Sequence, residues 1–389
     1  MTLQPVILAT VATIEREGVA PDALSPNDRY IGLEHIDSEG GISSTETAKS
    51  ANLKSTKFRF SHAHVLFGKL RPYLRKIARP EWSGVCSTDI LPILPGKHLS
   101  RDYLCHFLRT PEMVALATQR CAGANLPRLS PKQLEKFEIP LPHKNGKPDV
   151  TEQQRIAAIL DKAGAIRRKR QQAFRLTDDF LRSVFLDMFG DPVTNPKGWN
   201  VTTAGEQLEF LTSGSRGWAQ YYTEDGDLFI RIQNLRGGLL DLSDAAYVNA
   251  PESAEATRTR VRQGDVLLSI TADLGRTAVV PNEIGKAHIN QHIAILRLHS
   301  MNPVFVAQLL ASPGGQRQFE TLNKSAVKAG LNFDDIRSIK LLNPPPDLQA
   351  HFTLIVDRIT KSKGRHESAR NEAEAAFTSI QQRAFRGEL

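Results

Sequence analysis

The 389-residue sequence predicts an α+β fold: two tandem mixed α/β domains with pseudo-twofold symmetry, separated by two long antiparallel coiled-coil helices. Three observations predict it. The second half repeats the first at an offset of about 200 residues, each half closes in a proline-rich exit, and each exit leads into a stretch with coiled-coil spacing. A chain of this length holds two or three domains, and a repeat this long makes each copy a whole domain. The predicted boundaries are 1–148 for the first domain, 149–190 for a central helical spacer, 191–345 for the second domain and 346–389 for a distal spacer.

The repeat can be followed along the chain. Tyr30-Ile31-Gly32-Leu33-Glu34-His35-Ile36 matches Phe229-Ile230-Arg231-Ile232-Gln233-Asn234-Leu235, two alternating strand patterns ahead of glycine turns at Gly40-Gly41 and Gly237-Gly238. His64 to Phe67 matches Asp265 to Leu268, and Cys86 to Ile90 matches Ile289 to Ile293. Tyr103 to Pro111 matches Phe305 to Pro313 as a helix ending at a proline, and Leu129 to Leu134 matches Leu331 to Ile336. The exits are Ile139-Pro140-Leu141-Pro142 and Leu341-Leu342-Asn343-Pro344-Pro345-Pro346.

After the first exit, Ile156, Ile159, Ala163, Ile166, Ala173, Phe180 and Val184 trace the predicted seam of the central helix. After the second, Phe352, Ile355, Ile359, Ala369, Ala373, Ala376 and Ile380 trace that of the distal helix. Thr151 is the expected N-cap, with Gly190-Asp191-Pro192 as the stop.

Composition narrows the function. With 40% hydrophobic residues, 24% charged residues and a net charge of +8, the chain reads as a globular protein with a basic surface, so a polyanion is the expected partner. The apolar run near the start lacks preceding basic residues, and no later run is long and apolar enough to span a bilayer; a cytoplasmic protein without a membrane role is expected. Cys86, Cys105 and Cys121 form no Cys-x-x-Cys pair, which argues against a disulfide framework or zinc finger.

Four stretches carry a family resemblance. They are Leu141-Pro142 leading into Thr151-Glu152-Gln153-Gln154-Arg155-Ile156-Ala157-Ala158-Ile159-Leu160-Asp161; Met188 to Trp199; Ser213-Gly214-Ser215-Arg216-Gly217-Trp218; and Ala384-Phe385-Arg386-Gly387-Glu388-Leu389. In this order, on a twofold repeat, the chain resembles the specificity subunit of type I restriction-modification systems over nearly its full length. The resemblance implies two target-recognition domains that read a bipartite site in double-stranded DNA. It also implies docking of an adenine methyltransferase subunit, in two copies, and of an ATP-dependent restriction subunit. The distal exit departs from the pattern, because Asp347-Leu348-Gln349-Ala350-His351-Phe352 lacks the Glu-Gln-Gln-Arg-Ile wording of the central copy.

No catalytic centre is legible. Asn343-Pro344-Pro345-Pro346 resembles the Asn-Pro-Pro-aromatic motif of amino-methyltransferases but has proline where an aromatic ring must stack, and no Phe-x-Gly-x-Gly accompanies it. A phosphate loop is missing, as is any Asp/Glu-x-Lys pairing of nuclease type. His62-Ala63-His64 places two imidazoles on one face if it is a strand, yet without a further ligand pattern it reads as a strand edge. No metal and no cofactor are expected; the alternative reading is a self-contained methyltransferase or nuclease with an unrecognised centre.

Basic and aromatic residues are the candidate DNA contacts, since lysine and arginine neutralise phosphates and an arginine fork reads guanine. In the first domain they are Lys54, Lys57, Lys69, Arg71, Arg75 and Lys76, with Arg59 and Tyr73 interleaved. In the second they are Arg216, Tyr221, Tyr222, Arg236, Arg276, Lys324 and Lys328, with Trp218 beside them as the aromatic of this group best suited to the core instead. Gln233, Asn234, Asn290 and Gln291 have amides able to bond adenine, weighed against structural roles in matched strands. Arg167-Arg168-Lys169-Arg170, opposed by Lys361, Lys363 and Arg365, is too basic for pairing within a coiled coil and fits equally a role against phosphates or an acidic partner and a solvated helix face.

Overall fold

The computed structural model describes residues 2–44, 46–123, 125–214, 216–323 and 330–389. The chain forms two compact units, Met1–Arg170 with Ala369–Leu389, and Gln171–Ser368. Both long helices are present, a central helix over Val150–Phe189 and a distal helix over Pro346–Arg386, and the unit boundary falls inside each. Each globular half therefore packs on a segment of both helices instead of leaving them as separate spacers.

In the first unit, Leu3–Ile7 pairs antiparallel with Glu138–Lys144, closing the half at its proline-rich exit. An antiparallel sheet runs Ala12–Ile14, Ile90–Pro95, Val65–Gly68, Ile77–Ala78. A smaller sheet runs Gly18–Val19, Lys57–Phe60, Gly84–Cys86, Tyr30–Ile31, its last pair parallel. Inner strands such as Val65–Gly68 are buried throughout, as continuous apolar runs require.

The second unit repeats this plan. Asn200–Thr203 pairs with Lys340–Asn343, and the antiparallel sheet runs Leu208–Ser213, Ile293–Leu298, Val266–Ser269, Thr277–Val279. Tyr222–Thr223, Tyr247–Val248, Asp227–Ile230 and Ala287–Ile289 make its smaller sheet. The helices correspond as well: Arg101–Leu108 and Pro303–Ala311, Pro111–Gln119 and Pro313–Leu322, Pro131–Leu134 and Phe333–Ser338. Ser100 and Asn302, Thr110 and Ser312, and Ser130 and Asn332 cap these pairs with side-chain oxygens.

Several local expectations need correction. The strands at Tyr30 and Phe229 are short and turn into 3-10 helices at Leu33–His35 and Ile232–Asn234. Pro111 and Pro313 each open a second helix, the first helical position being where proline's missing N–H costs nothing. The central helix is capped by Asp149, whose Oδ1 accepts the Glu152 N–H at 3.1 Å, and not by Thr151. Gly190 ends that helix with a positive φ of 78°, as expected.

The seam of the central helix lies one residue on from the predicted line. Ile156 is buried, but the continuing buried positions are Ala157, Leu160, Gly164, Arg167, Leu181 and Phe185, whereas Ile159, Ala163 and Val184 are half-buried. Ile166 and Phe180 face solvent, 55% and 58% exposed. The distal seam fits better: Phe352 and Ile359 are buried, Ile355, Ala373 and Ile380 half-buried, and Val356, Phe377 and Ala384 complete the buried line. In the first unit the helix segments run antiparallel, since Gly164 faces Phe377 while Arg167 reaches Glu374; in the second, Phe174 meets Lys363 and Phe185 meets Phe352. No helix among the described residues is long and apolar enough to cross a membrane.

Candidate nucleic-acid interface

The strand Val65–Gly68 leaves its sheet through a tight loop, and this loop concentrates the candidate residues of the first half. Arg71 and Arg75 sit at its shoulders in the left-handed region, φ 50° and 54°, where a non-glycine residue costs about 1–2 kcal/mol. Pro72 is buried between them. The Arg71 N–H donates to Pro127 O at 2.9 Å, Leu129 N–H to Lys69 O at 2.9 Å and Arg75 N–H to Pro72 O at 2.8 Å, fixing the loop from both sides.

Within this cluster the roles separate. Arg71 and Lys54 are exposed and have no side-chain partner among the described residues. Lys69 lies 3.8 Å from Asp89, which also takes Arg128 at 3.0 Å. Arg75 donates to Arg109 O at 3.0 Å and Lys76 to Ile36 O at 2.6 Å, so both hold the loop. Lys57 is a correction: it is buried, donates to Ser55 O and Oγ at 2.8 and 2.7 Å and lies over the Tyr30 ring, with burial lowering its pKa. That ammonium is spent inside the domain.

The second half has the same loop with different residues. Ala272 and Gly275 take the positive φ values, 61° and 85°, and Arg276 pairs with Asp273. Arg216 is exposed, and Tyr222 is 48% exposed. Tyr221 is half-buried against Trp218, whose indole stacks on Phe229 with ring centroids 5.8 Å apart; Trp218 is core, as expected. Arg236 is exposed and held 3.3 Å from Asp241. Lys324 and Lys328 lie outside the described residues.

The amide candidates are structural. Asn234 accepts the Arg231 N–H at 2.9 Å and donates to Asp241 O and Asp244 O, while Gln233 donates to Asp244. Asn290 accepts the His292 N–H, and Gln291 contacts His292, which also meets Thr271 at 2.6 Å. Beyond the expected residues, a cleft of about 930 Å³ at the other end of strand Val266–Ser269 presents exposed Arg260 and Arg262. Nothing in their spacing had marked them.

On the helices, Arg167 is accounted for by pairing, contrary to expectation. It is buried, bonds Glu39 and Glu374 and lies over the Phe377 ring at 4.2 Å, whereas Arg168, Lys169 and Arg170 are exposed. Two other helix residues emerge that sequence reading missed. Buried Gln153 accepts the Ser100 N–H at 2.8 Å and donates to His98 O at 3.1 Å. Buried Gln349 accepts the Asn302 N–H at 2.9 Å and donates to Pro344 O at 2.8 Å. Each clamps the residue that caps a repeated helix, so the distal exit keeps the working glutamine while losing the surrounding wording.

Chemistry is sparse around these residues. His64 is not on a strand; its Nε2 donates to Glu15 at 2.9 Å and its Nδ1 accepts the Ser61 N–H, while His62 is exposed. Among the described residues no group of His, Cys, Asp and Glu side chains has the geometry of a metal site. The Asn343–Pro346 run borders a hollow of about 450 Å³ with Trp199, its Pro344 carbonyl engaged by Gln349.

Residues 26–173 match the family model of the type I restriction modification DNA specificity domain. The specificity subunit of the Escherichia coli type I restriction enzyme EcoDI is 23% identical over 170 residues, 43% of this chain and 37% of that one. The EcoKI specificity subunit of E. coli K12 is 22% identical over 325 residues, 76% of this chain and 67% of its own length. Over most of its length the chain is similar to type I restriction-modification specificity subunits. The match spans little more than a third of EcoDI's subunit and two thirds of EcoKI's. The fold is shared with the S subunit of the type I restriction-modification system from M. genitalium, with a TM-score of 0.60, 11% identity, and coverage of 99% of this chain and 96% of that one.

Proposed function

We infer that the chain is the sequence-specific DNA-binding subunit of a type I restriction-modification complex, each globular half reading one half-site of a bipartite double-stranded target. One observation carries the reading. The same loop, shouldered by two left-handed residues, leaves the same strand in both halves, yet holds Arg71-Pro72-Tyr73-Leu74-Arg75 in one and Ala272-Asp273-Leu274-Gly275 in the other. A constant frame presenting different loops is what two readers of two different sequences need.

The chain itself supplies recognition and no chemistry. An adenine methyltransferase subunit, in two copies, and an ATP-dependent restriction subunit dock on it, with the paired helices as scaffold. Phosphate contacts position the duplex, and base-edge contacts and shape select it.

On this reading the exposed cations without a partner among the described residues, Lys54 and Arg71, are the ones that touch phosphate. Lys54→Ala with Arg71→Ala lowers the slope of log affinity against log salt by roughly 2, about 0.9 per lost phosphate contact. Lys57→Ala, which removes a cation already engaged, leaves the slope unchanged. Equal slopes for the double variant and the wild type would place the loop away from DNA. Methyl incorporation by the rigorously pure chain would favour a self-contained methyltransferase instead.

A further inference from the structure

Between its two arginine shoulders the first-half loop exposes an apolar tip. Tyr73 is 49% and Leu74 42% exposed, and Leu126, beside the Pro127 carbonyl that receives the Arg71 N–H, is 48% exposed. Adjacent large apolar side chains at a loop tip lose burial they could have had by turning inward, and this loop does not let them turn. Its backbone is tied at Arg71, Leu74 and Arg75, Pro72 is wedged into the domain, and Arg75 and Lys76 anchor its far side to carbonyls of other segments.

The matching loop of the second half has no such tip. Leu274, at the position of Tyr73, packs against the core, next to Asp273 and Gly275. The apolar tip is thus a property of one loop and not of the shared frame. The chain around it is cationic: Arg71 is unpaired among the described residues, and exposed Arg128 is held beside it by Asp89.

We propose that Tyr73 and Leu74 form a wedge that inserts at a base-pair step of the first half-site, unstacking it while Arg71 and Arg128 hold the flanking phosphates. The proposal rests on the DNA-reading function above. Apolar wedges flanked by basic residues enter base steps and kink the duplex, at a cost lowest for flexible pyrimidine–purine steps. A rigid loop suits this role, because little side-chain or backbone freedom is left to lose on insertion. The wedge would make specificity at that step a matter of deformability, with no hydrogen bond to a base edge.

The test uses the full-length chain and duplexes selected by it from a randomised pool. The wild type is expected to select a pyrimidine–purine step within one half-site, and 2-aminopurine placed at that step brightens on binding. Tyr73→Ala with Leu74→Ala abolishes the preference and the brightening and weakens binding on the order of tenfold, with the other half-site and the thermal midpoint unchanged. Tyr73→Phe alone retains all of these, since a wedge needs the ring and not the hydroxyl. Selection of both half-sites unaltered by the double alanine variant, with no 2-aminopurine signal in either protein, overturns the wedge while leaving the DNA reader intact. A wild-type chain that selects no sequence overturns the underlying function. Loss of methyltransferase association with DNA selection unaltered would assign the tip to a protein partner and also overturn the wedge.

Discussion

The two globular halves share a fold but are fastened to the helices by different forces. In the first half Arg79 bridges Asp102, at 2.9 Å, to Asp161 of the central helix, and the His106 Nε2–H donates to the same Asp161 at 2.9 Å. Burial pushes the Asp161 carboxyl up, but bonds from His106 and Arg79 hold it down to about 2. Arg79, Asp102 and His106 are matched in the second half by Val279, Val304 and Gln308, none of them ionic. There the joint is aromatic: Phe185, Phe189, Phe305 and Phe352, each at most 2% exposed, with centroids 4.7 Å apart for Phe189–Phe305 and 5.3 Å for Phe189–Phe352. A duplicated frame constrains where helix and domain meet, and leaves open whether charge or ring packing holds them.

The smaller sheets teach a second difference. Both halves keep one parallel pair, Tyr30–Ile31 with Gly84–Cys86 and Asp227–Ile230 with Ala287–Ile289. The first half adds its outer strands on the Gly84–Cys86 side, and the second adds them on the Asp227–Ile230 side. Variation is therefore built outward from a fixed pair, by segments inserted at the same place in the chain.

The largest effect expected from this contrast is at the aromatic joint. Phe352→Ala empties a fully buried site among three other rings and should cost about 3–5 kcal/mol, read as a lower urea midpoint of the transition that reports the second half. A loss below about 1 kcal/mol would mean that the joint is loose. The clamps come next: Gln153→Ala and Gln349→Ala each leave the N–H of a capping residue, buried Ser100 and half-buried Asn302, without its partner and should cost about 1–3 kcal/mol, in the first and second half respectively. Unequal losses would show that the distal exit's different wording matters energetically.

The smallest effect concerns pH. Burial lowers the pKa of His106 below its ordinary 6.5, against the opposing pull of Asp161, so the unfolded chain binds more protons just below that pH. Stability of the first half therefore falls as pH drops through about 6.5. A further loss follows as pH falls from about 4 towards 2, where Asp161 takes its proton. His106→Gln, the residue found in the second half, removes the first component. Amide exchange over Arg101–Leu108 at pH 7.5 and pH 5.5 checks it, and a variant as acid-sensitive as the wild type would remove His106 from the account.

Much of this was legible in the sequence because repetition survives where apolar patterns are strong. The matched strands, exits and long helices follow from that signal. The central seam was misread by one residue because Gly164 and Arg167 occupy buried positions, while Ile166 and Phe180, which look like seam, face outward. The role of Lys57 could not be read, since nothing local shows that Ser55 and the Tyr30 ring enclose its ammonium. Gln349 escaped notice because its function is kept by one residue in altered surroundings. Arg75 and Lys76 looked like Arg71, yet distant carbonyls at Arg109 and Ile36 decide their use.

The central claim is that each half is a separate reader on a common frame. Its most direct measurement is methylation mapping in cells after residues from about 200 to 343 are exchanged for those of a related specificity subunit, with the cognate methyltransferase supplied. The account predicts that one half-site changes and the other is kept base for base. A change in both half-sites, or in neither, would contradict it.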